Sequence, residues 1–367
     1  YDQVLGDMPD GNGDTSLVLF GEKITPNHHA LARDFVLLDN FYVDAEVSAD
    51  GHNWTTGAYA NDFVEKNWPT SYGGRGGTYP AEGKMALGNN KGGFIWNACK
   101  RAGVSYRSYG EFADNGKANI EELKGHICPY YTGFDLKVMD TTRFRQWKRD
   151  FDSLIARGEV PRFNTVRMGN DHTEGLKKGT LTPFAHVADN DLAVGMLVDY
   201  LQKSSIWNET AIFIVEDDAQ NGADHVDAHR SPAYLAGGFV KRGFVDHTAY
   251  TTSSMLRTME LILGVLPMTQ YDAAAVPLWR CFDNVSKPSP FMLRQPLVDL
   301  KERNVAMNEW QRRSDKFDLS KEDNVPDLEF NEVLWHAVRG DHSPFPGARR
   351  SAFLLIKKKD ADDDDDK

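Results

Sequence analysis

An apolar strand that ends in three consecutive acids most constrains how this chain can fold. Residues 211–215 form a β-branched, apolar run of the kind that is typical of a buried strand. The run is followed directly by Glu216, Asp217 and Asp218. In open α/β sheets, ligands bind in the crevice beyond the carboxyl ends of the strands. The pattern therefore predicts an α/β domain with a functional site beside this strand.

The loop after this strand adds a second group of potential metal ligands. Beyond Gly222 it contains Asp224, His225, Asp227 and His229. Carboxylate oxygens and imidazole nitrogens that converge on one point are the ligands of divalent metals. A solvated acidic loop with incidental histidines would explain the charges, but not their direct attachment to so apolar a strand. We therefore predict a divalent metal site here.

Composition and charge narrow the class of protein. The 367 residues are 41% hydrophobic and 26% charged, as in ordinary globular proteins, and suffice for one large α/β domain. A net charge of −12 argues against a nucleic-acid partner, because basic surfaces bind phosphate backbones. No apolar run reaches the length of a transmembrane helix. Cys99, Cys128 and Cys281 lack the spacing of a metal site, and pairing of the first two stays open.

Strand-like and helix-like segments alternate, which predicts an α/β fold with a mainly parallel central sheet and helices on both faces. The predicted strands are 35–38, 104–109, 162–168 and 211–215, and the predicted helices are 54–68, 93–103, 141–157, 189–201 and 252–263. From residue 283 the periodicity weakens. We therefore divide the chain into an α/β domain at 1–282, a C-terminal extension at 283–356 that packs on it with a helix at 328–338, and an acidic disordered tail or tag remnant at 357–367.

Three motifs resemble those of bacterial phosphoesterases. Asp217-Asp218, Gly222 and Asp224-His225-Val226 are similar to the Asp-Glu, glycine, Asp-His-Val signature of the phospholipase C and acid phosphatase relatives in the alkaline phosphatase superfamily. Asn170-Asp171-His172 is similar to that family's Asn-Asp-x-His-like element. Residues 1–6 resemble the continuation of its opening Glu-Asn-Arg-x-aromatic-Asp motif. We expect the Glu and Asn of that motif, which help to hold the metal, to lie upstream of this sequence.

The resemblance implies an alkaline phosphatase-like α/β fold and metal-dependent hydrolysis of phosphate esters through an activated hydroxyl nucleophile. It implies one or two divalent ions, with zinc as the first expectation and iron, manganese or calcium as alternatives. The implied metal ligands are Asp217, Asp218, Asp171, His172, His225 and His229. It further implies a phosphorylated small-molecule or lipid substrate, and a periplasmic, cell-surface or secreted location.

The nucleophile is expected in residues 44–57, which follow a predicted strand and lead into a predicted helix. The resemblance implies a Ser, Thr or Cys at a helix N-terminus beside the metal, where the cation and the helix dipole lower its pKa. In the phosphatase-like relatives this residue precedes an Asn and a Thr-Gly or Ser-Gly pair. Ser48, with Asn53 and Thr56-Gly57 downstream, fits that spacing. Ser48 is therefore the expected nucleophile and Thr55 the alternative, while a capping role for both hydroxyls stays open.

The same segment resembles the phospholipase C branch in one further motif. His52-x-Trp54 is similar to that branch's His-x-Trp, but the residue directly before the histidine is Gly51 instead of a hydroxyl residue. The resemblance implies that His52 and Asn53 donate hydrogen bonds to phosphoryl oxygens. The departure at Gly51 leaves open a second class of function, a non-catalytic module that binds metal or a surface ligand and is attached to an upstream domain.

Two other hydrolase classes are disfavoured. The sequence contains no Gly-x-Ser-x-Gly elbow, which a lipase-type serine hydrolase needs. Cys99 lies in Cys-Lys-Arg-Ala-Gly and lacks the Cys-x-Pro-x-Arg context of a sulfatase. The sequence therefore favours a metal-dependent phosphoesterase.

Overall fold

A computed structural model of the protein describes residues 1–219, 222–305 and 307–349. The strands are β1 (Val36–Leu38), β2 (Phe41–Tyr42), β3 (Tyr106–Tyr109), β4 (Ala113–Asp114), β5 (Lys117–Ala118), β6 (Phe163–Val166), β7 (Ala211–Val215), β8 (Ala233–Gly237), β9 (Phe244–Asp246) and β10 (Tyr250–Thr251). The α-helices are α1 (Asp2–Leu5), α2 (Pro26–Asp34), α3 (Ser48–Gly57), α4 (Asp62–Ser71), α5 (Ile95–Ala102), α6 (Asp140–Arg157), α7 (Pro183–Gln202), α8 (Thr252–Leu263), α9 (Gln270–Ala274), α10 (Glu309–Ser314) and α11 (Asp327–Arg339). The predicted α/β class is confirmed.

A four-stranded sheet in the order β7-β8-β1-β9 lies at the centre of the fold. β1 and β9 pair in parallel, but β8 runs antiparallel to both β1 and β7. This sheet is therefore mixed, which corrects the prediction of a mainly parallel one. The described residues of the connection 216–232 include no helix. A direct return of this kind gives an antiparallel neighbour, whereas parallel neighbours need a longer crossover.

The main core packs between this sheet and long helices. β1 is fully buried, and Trp147 and Phe151 of α6 belong to the same apolar cluster as Leu37 and Leu235. The apolar residues of α6 recur at helical spacing, and the helix ends at Gly158, which adopts a left-handed φ of 68°. Burial of each such large side chain contributes about 1.5–3 kcal/mol. This packing fixes the positions of the strand ends that carry the polar residues.

A cavity of about 870 Å³ leads to those strand ends. It is lined by β6 and β7, which belong to different sheets of the described chain. Its lining includes Asp171, His172, Asp217 and Asp218, together with His52 of α3. The fold therefore gathers polar side chains from three separate elements at one opening.

The predicted helix at 54–68 is wrong, because the structure has two helices there. Ala58 adopts a left-handed conformation with φ 57° and ends α3. Asn61 then caps α4 by accepting hydrogen bonds from the amides of Phe63 and Val64. Ser48 consequently begins a helix instead of lying in a loop before one. The helix predicted at 252–263 is confirmed as α8.

The C-terminal residues contribute two helices that contact the rest of the chain. Trp310 and Val333 form an apolar cluster with Phe317, and Leu176 packs against it. The helix predicted at 328–338 is confirmed as α11, whereas the domain boundary at 282 stays a prediction.

The tail at 357–367 lies outside the described residues. Across the described ranges, no helix is both long and apolar enough to cross a membrane, and the three cysteines are buried free thiols.

A buried carboxyl pair joins α8 to α9. Glu260 is fully buried, and its side chain shares a hydrogen bond with Asp272. Burial and the neighbouring carboxylate raise the pKa of Glu260 to about 8, although Arg257 lies 3.1 Å away. Asp272 also accepts hydrogen bonds from the amides of Met268 and Thr269, which favour its charged form. Glu260 is therefore the partner that keeps the proton in the folded protein.

This pair predicts a specific dependence of stability on pH. The pKa of Glu260 rises from 4.5 to about 8 on folding, so stability is greatest below the lower value and falls as pH rises through the upper one. Glu260→Gln removes this dependence, because the amide does not titrate. We expect the stability of the wild type relative to Glu260→Gln to fall by about 1–2 kcal/mol between pH 5 and pH 8.5, after allowance for solvent screening. Urea unfolding of both proteins at the two pH values measures it, and parallel pH profiles would contradict it.

Candidate active site

Ser48 lies at the first position of α3, where it meets the end of β7. Its side chain is almost completely buried, and Oγ donates a hydrogen bond of 2.7 Å to Asp218 Oδ2. The approach of helix and strand is close: a Cβ atom on Gly51 would lie 2.7 Å from the backbone oxygen of Asp217. Position 51 therefore has no room for a side chain unless α3 moves. The hydroxyl beside the carboxylates comes from one turn earlier, at Ser48.

Asp217 and Asp218 are adjacent at the end of β7, where burial works against their charges. Asp217 Oδ2 is buried and accepts no hydrogen bond from the described residues, although His52 Nε2 lies 3.4 Å away. Burial, Asp217 and Asp323 together raise the pKa of Asp218 well above its usual range. Two carboxylates and a hydroxyl oxygen are hard donors that suit a divalent cation. The residues present therefore fit the metal that the sequence predicts.

His52 lies one turn after Ser48 among three carboxylates. Its Nδ1 is 2.9 Å from Glu111, and its Nε2 is 3.0 Å from Glu82 and 3.4 Å from Asp217. Burial alone would lower the pKa of His52, but Glu111 and Asp217 outweigh it and raise the pKa well above the usual range. The ring is therefore charged near neutral pH and acts as a donor instead of a metal ligand.

The other two candidates on α3 direct their hydrogen bonds elsewhere. Asn53 donates from Nδ2 to the carbonyl of Gly88 at 2.9 Å. Thr55 lines the cavity, but its hydroxyl donates to the carbonyl of Gly51 at 2.9 Å, one turn back on the same helix. Of the predicted hydroxyls, Ser48 is the one that contacts a predicted metal ligand.

Asp171 and His172 follow β6 and line the same cavity. Asp171 Oδ1 lies 3.3 Å from His172 Nδ1. Burial would lower the pKa of His172, but Asp171 raises it to about 9. Burial and Asp171 also raise the pKa of Glu216 to about 7, which shows that the acids of β6 and β7 interact. The structure therefore brings Asp171 and His172 to the same opening as Asp217 and Asp218.

The structure does not bring His225 and His229 to that opening. His225 Nδ1 lies 2.7 Å from Asp2, and His229 contacts Asp227 at 2.7 Å and Glu46 at 3.1 Å. No hydrogen bond or ion pair within residues 1–219, 222–305 and 307–349 joins either imidazole to Asp217 or Asp218. Both histidines consequently stand apart from the carboxylate pair with which the sequence grouped them.

The Asp-His loop instead forms an ion-pair cluster with α1. Ligand atoms of Asp2, Asp224 and His225 lie within 4.8 Å of one another. However, the buried Arg230 already supplies a cation there, with Nη2 2.8 Å from Asp2 and 3.0 Å from Asp224. Because a guanidinium compensates these carboxylates, we interpret the cluster as structural.

Five residues that surround the site were not identified from the sequence: Glu82, Glu111, Arg167, Glu322 and Asp323. Arg167 contacts Glu82 at 2.7 Å and Glu322 at 3.3 Å. Asp323 accepts hydrogen bonds from the backbone amides at the start of α3. The position of Arg167 near the end of a predicted strand was a usable signal. Glu82 lies in a glycine-rich loop, and Glu322 and Asp323 lie in an aperiodic extension, so local pattern gave no sign of any of them.

One family model and several solved structures are similar to this chain. The sequence model of the Phosphoesterase family matches residues 7–266. A protein of the alkaline phosphatase superfamily from Vibrio parahaemolyticus is similar in structure, with a TM-score of 0.49 and 20% identity over 71% of this chain and 66% of that chain. Human ectonucleotide pyrophosphatase/phosphodiesterase 5 has a TM-score of 0.46 and 12% identity over 67% and 91%. The lipoteichoic acid synthase LtaP from Listeria monocytogenes has a TM-score of 0.45 and 10% identity over 86% and 85%. No curated protein sequence matches the chain.

The adjacent carboxylates Asp217 and Asp218 predict the behaviour of two variants. Asp217→Asn and Asp218→Asn should each lower the affinity for Zn²⁺ or Mn²⁺ by more than about 100-fold, since even the loss of an outer-shell partner costs about 10- to 100-fold. Thermal stability should stay close to that of the wild type, because each change relieves repulsion between acids. Asp299→Asn removes an exposed charge and is the control. Elemental analysis after dialysis measures bound metal, and equal metal content in all four proteins would refute the site.

Proposed function

Since the chain belongs to the Phosphoesterase family, we propose that it is a metal-dependent phosphoric ester hydrolase whose nucleophile is Ser48. The observation that carries the proposal is the 2.7 Å hydrogen bond from Ser48 Oγ to Asp218 Oδ2. It unites a hydroxyl at a helix N-terminus with the carboxylate pair at a strand end. This is the arrangement that activated hydroxyl nucleophiles require. The chain spans 66% of the length of the similar Vibrio protein, so activity and substrate are proposals for the whole protein.

The carboxylates would hold the metal at the nucleophile. Asp217 and Asp218 would bind one divalent ion beside Ser48, and Asp171 and His172 are the candidates for a second ion. When bound, such an ion lowers the pKa of a neighbouring hydroxyl and offsets the negative charge of a phosphoryl group. Zinc is our first expectation, with iron, manganese or calcium as alternatives.

The reaction would proceed through a phosphoserine. Ser48 Oγ forms a bond to phosphorus while the bond from phosphorus to the ester oxygen breaks on the opposite side. Asp218 Oδ2 accepts the Ser48 hydroxyl hydrogen bond, so the hydroxyl proton would leave through Asp218 to solvent, and the departing ester oxygen would take up a proton and leave as an alcohol. A water oxygen would then bond to phosphorus as the bond from phosphorus to Ser48 Oγ breaks, one water proton would go to Oγ, and phosphate would be released. Each step moves charge onto phosphoryl oxygens, where fixed donors have their largest effect.

Charged side chains around the opening would supply those donors. His172 has a pKa raised to about 9 by Asp171 against the effect of burial, so it carries a proton at neutral pH. His172 lines the cavity beside Asp171, so in the absence of a second ion it could donate a hydrogen bond to the leaving oxygen, whereas an ion held by this pair would need the neutral ring as its ligand. His52 is charged as well, although its nitrogens face Glu82 and Glu111 in this conformation. To donate to phosphoryl oxygens, His52 would have to turn from these glutamates, and Asn53 would have to give up its bond to the carbonyl of Gly88.

The cavity is large enough for the substrate class that we propose. Its volume of about 870 Å³ and its walls on β6 and β7 can receive a phosphorylated small molecule or a lipid headgroup with part of its chains. By family resemblance we place the enzyme in the periplasm, at the cell surface or outside the cell.

One observation favours the alternative of a non-catalytic metal- or ligand-binding module. The His52 ring lies between carboxylates of the same chain, with Nδ1 hydrogen-bonded to Glu111 at 2.9 Å and Nε2 3.0 Å from Glu82.

Two hydroxyl variants test the proposal. In metal-loaded protein, Ser48→Ala should lower turnover of a phosphomonoester, a phosphodiester or a phospholipid by at least about 1,000-fold, as removal of a nucleophile does. Thr55→Ala should change turnover by less than about threefold, because its hydroxyl bonds within its own helix. Both variants should retain metal. Mass spectrometry of acid-quenched wild type should find phosphate on the peptide that contains Ser48. An active Ser48→Ala variant would exclude this nucleophile, and a metal-loaded wild type that hydrolyses none of the three esters would favour the binding module.

A further inference from the structure

We propose that Asp323, in the C-terminal extension, is a positioning residue for the nucleophile helix. The inference rests on the proposed function of Ser48. In this proposal the C-terminal extension completes the start of α3 and thereby fixes where the Ser48 hydroxyl lies.

Asp323 supplies the cap that the sequence around α3 lacks. Its Oδ1 accepts the amide hydrogen of Ser48 at 3.1 Å, and its Oδ2 accepts that of Ala49 at 2.8 Å. These are the first two residues of the helix, whose amides have no partner within it. The residue at the capping position is Val47, which has no side-chain acceptor. A residue 275 positions away therefore performs the capping role.

A second carboxylate extends the same pattern. Asp50 accepts the amide of Glu46 at 3.0 Å and that of Val47 at 2.9 Å. Together with Asp323 it satisfies four consecutive amides from residue 46 to residue 49. The whole entry to α3 is thus held by two carboxylates, one from inside the helix and one from the extension.

Asp323 is itself held in place by groups around the active site. It adopts a left-handed backbone with φ 54°, which Asp tolerates better than most residues but which still has an energetic cost. Its carbonyl accepts a hydrogen bond of 2.8 Å from the amide of Gly73. The preceding Glu322 contacts Arg167 and Lys84, each at 3.3 Å. Strained conformations of this kind persist where the surroundings fix them, and they cluster at functional sites.

These contacts leave Ser48 fixed at two points. Asp323 holds its backbone amide, and Asp218 holds its hydroxyl. Without the first contact, the opening turn of α3 can fray and the hydroxyl can shift relative to the metal carboxylates. A misplacement of about 1 Å can cost roughly 100-fold in rate. The loss should appear in kcat, because the groups that bind substrate stay in place.

Three variants separate this role from general stability. Asp323→Gly removes the carboxylate while keeping a residue suited to positive φ, and Asp323→Asn keeps both an acceptor oxygen and tolerance of positive φ. Asn61→Gly removes a cap of the same kind from α4, the next helix, and is the matched control. We expect kcat of Asp323→Gly on a phosphomonoester to fall roughly 10- to 100-fold, with KM changed less than about threefold. Asp323→Asn should restore most of kcat, and Asn61→Gly should leave it unchanged at a similar loss of melting temperature.

A second measurement does not depend on activity. Hydrogen exchange at the amides of Ser48 and Ala49 should accelerate at least about tenfold in Asp323→Gly and stay slow in Asn61→Gly, since exchange reports local opening. Unchanged exchange, or unchanged kcat despite faster exchange, would overturn the positioning role. Tighter binding of inorganic phosphate with raised turnover in Asp323→Gly would also overturn it, because Asp323 would then occupy the place of a substrate oxygen. A wild type without phosphoesterase activity would instead refute the proposed function, and the exchange rates alone would then decide whether Asp323 caps α3.

Discussion

The close approach of α3 to the end of β7 is the constraint on which the candidate site depends. A side chain at Gly51 would collide with the backbone of Asp217, so glycine is what allows helix and strand to meet. With the two elements in contact, Ser48 reaches Asp218 and His52 reaches Asp217 from successive turns of the helix. The same contact explains why no hydroxyl residue directly precedes His52. The glycine that looked like a departure from the family pattern is required by this packing.

The balance of charge distinguishes two acidic clusters that look alike in sequence. At the end of β7, acids face one another, and burial together with Asp171 raises the pKa of Glu216 to about 7. An added divalent ion would relieve that repulsion. Around Asp224, burial would also raise the pKa, but nearby positive groups including Arg230 hold it below the usual range. In the second cluster Arg230 lies between Asp2 and Asp224, whereas in the first Asp217 faces the His52 ring and the pKa of Asp218 stays well above its usual range, so metal binding is proposed only for the first.

The sequence predicted the parts of the site whose residues are neighbours along the chain. It failed where residues that are distant in sequence set the geometry. The strand at 211–215 and its acids are neighbours in sequence, so their pattern was sufficient. The grouping of His225 with Asp217 assumed that nearness in sequence means nearness in space. Arg230 and Asp2 instead hold that loop against α1. The break between α3 and α4 was missed because Ala58, which carries the left-handed turn, is neither Gly nor Pro.

The C-terminal extension shows why weak periodicity is a poor guide to function. Hydrophobic periodicity reports which face of a helix or strand is buried, and from residue 283 that signal fades. Polar contacts produce no periodic pattern in the sequence, because a helix cap needs only one carboxylate and an ion pair needs only one acid and one base. Glu322 and Asp323 act through contacts of this type, to Arg167 and to the start of α3. A segment that adds little to the core can therefore still determine the geometry of the site, and a domain boundary drawn from periodicity would separate Asp323 from the helix that it caps.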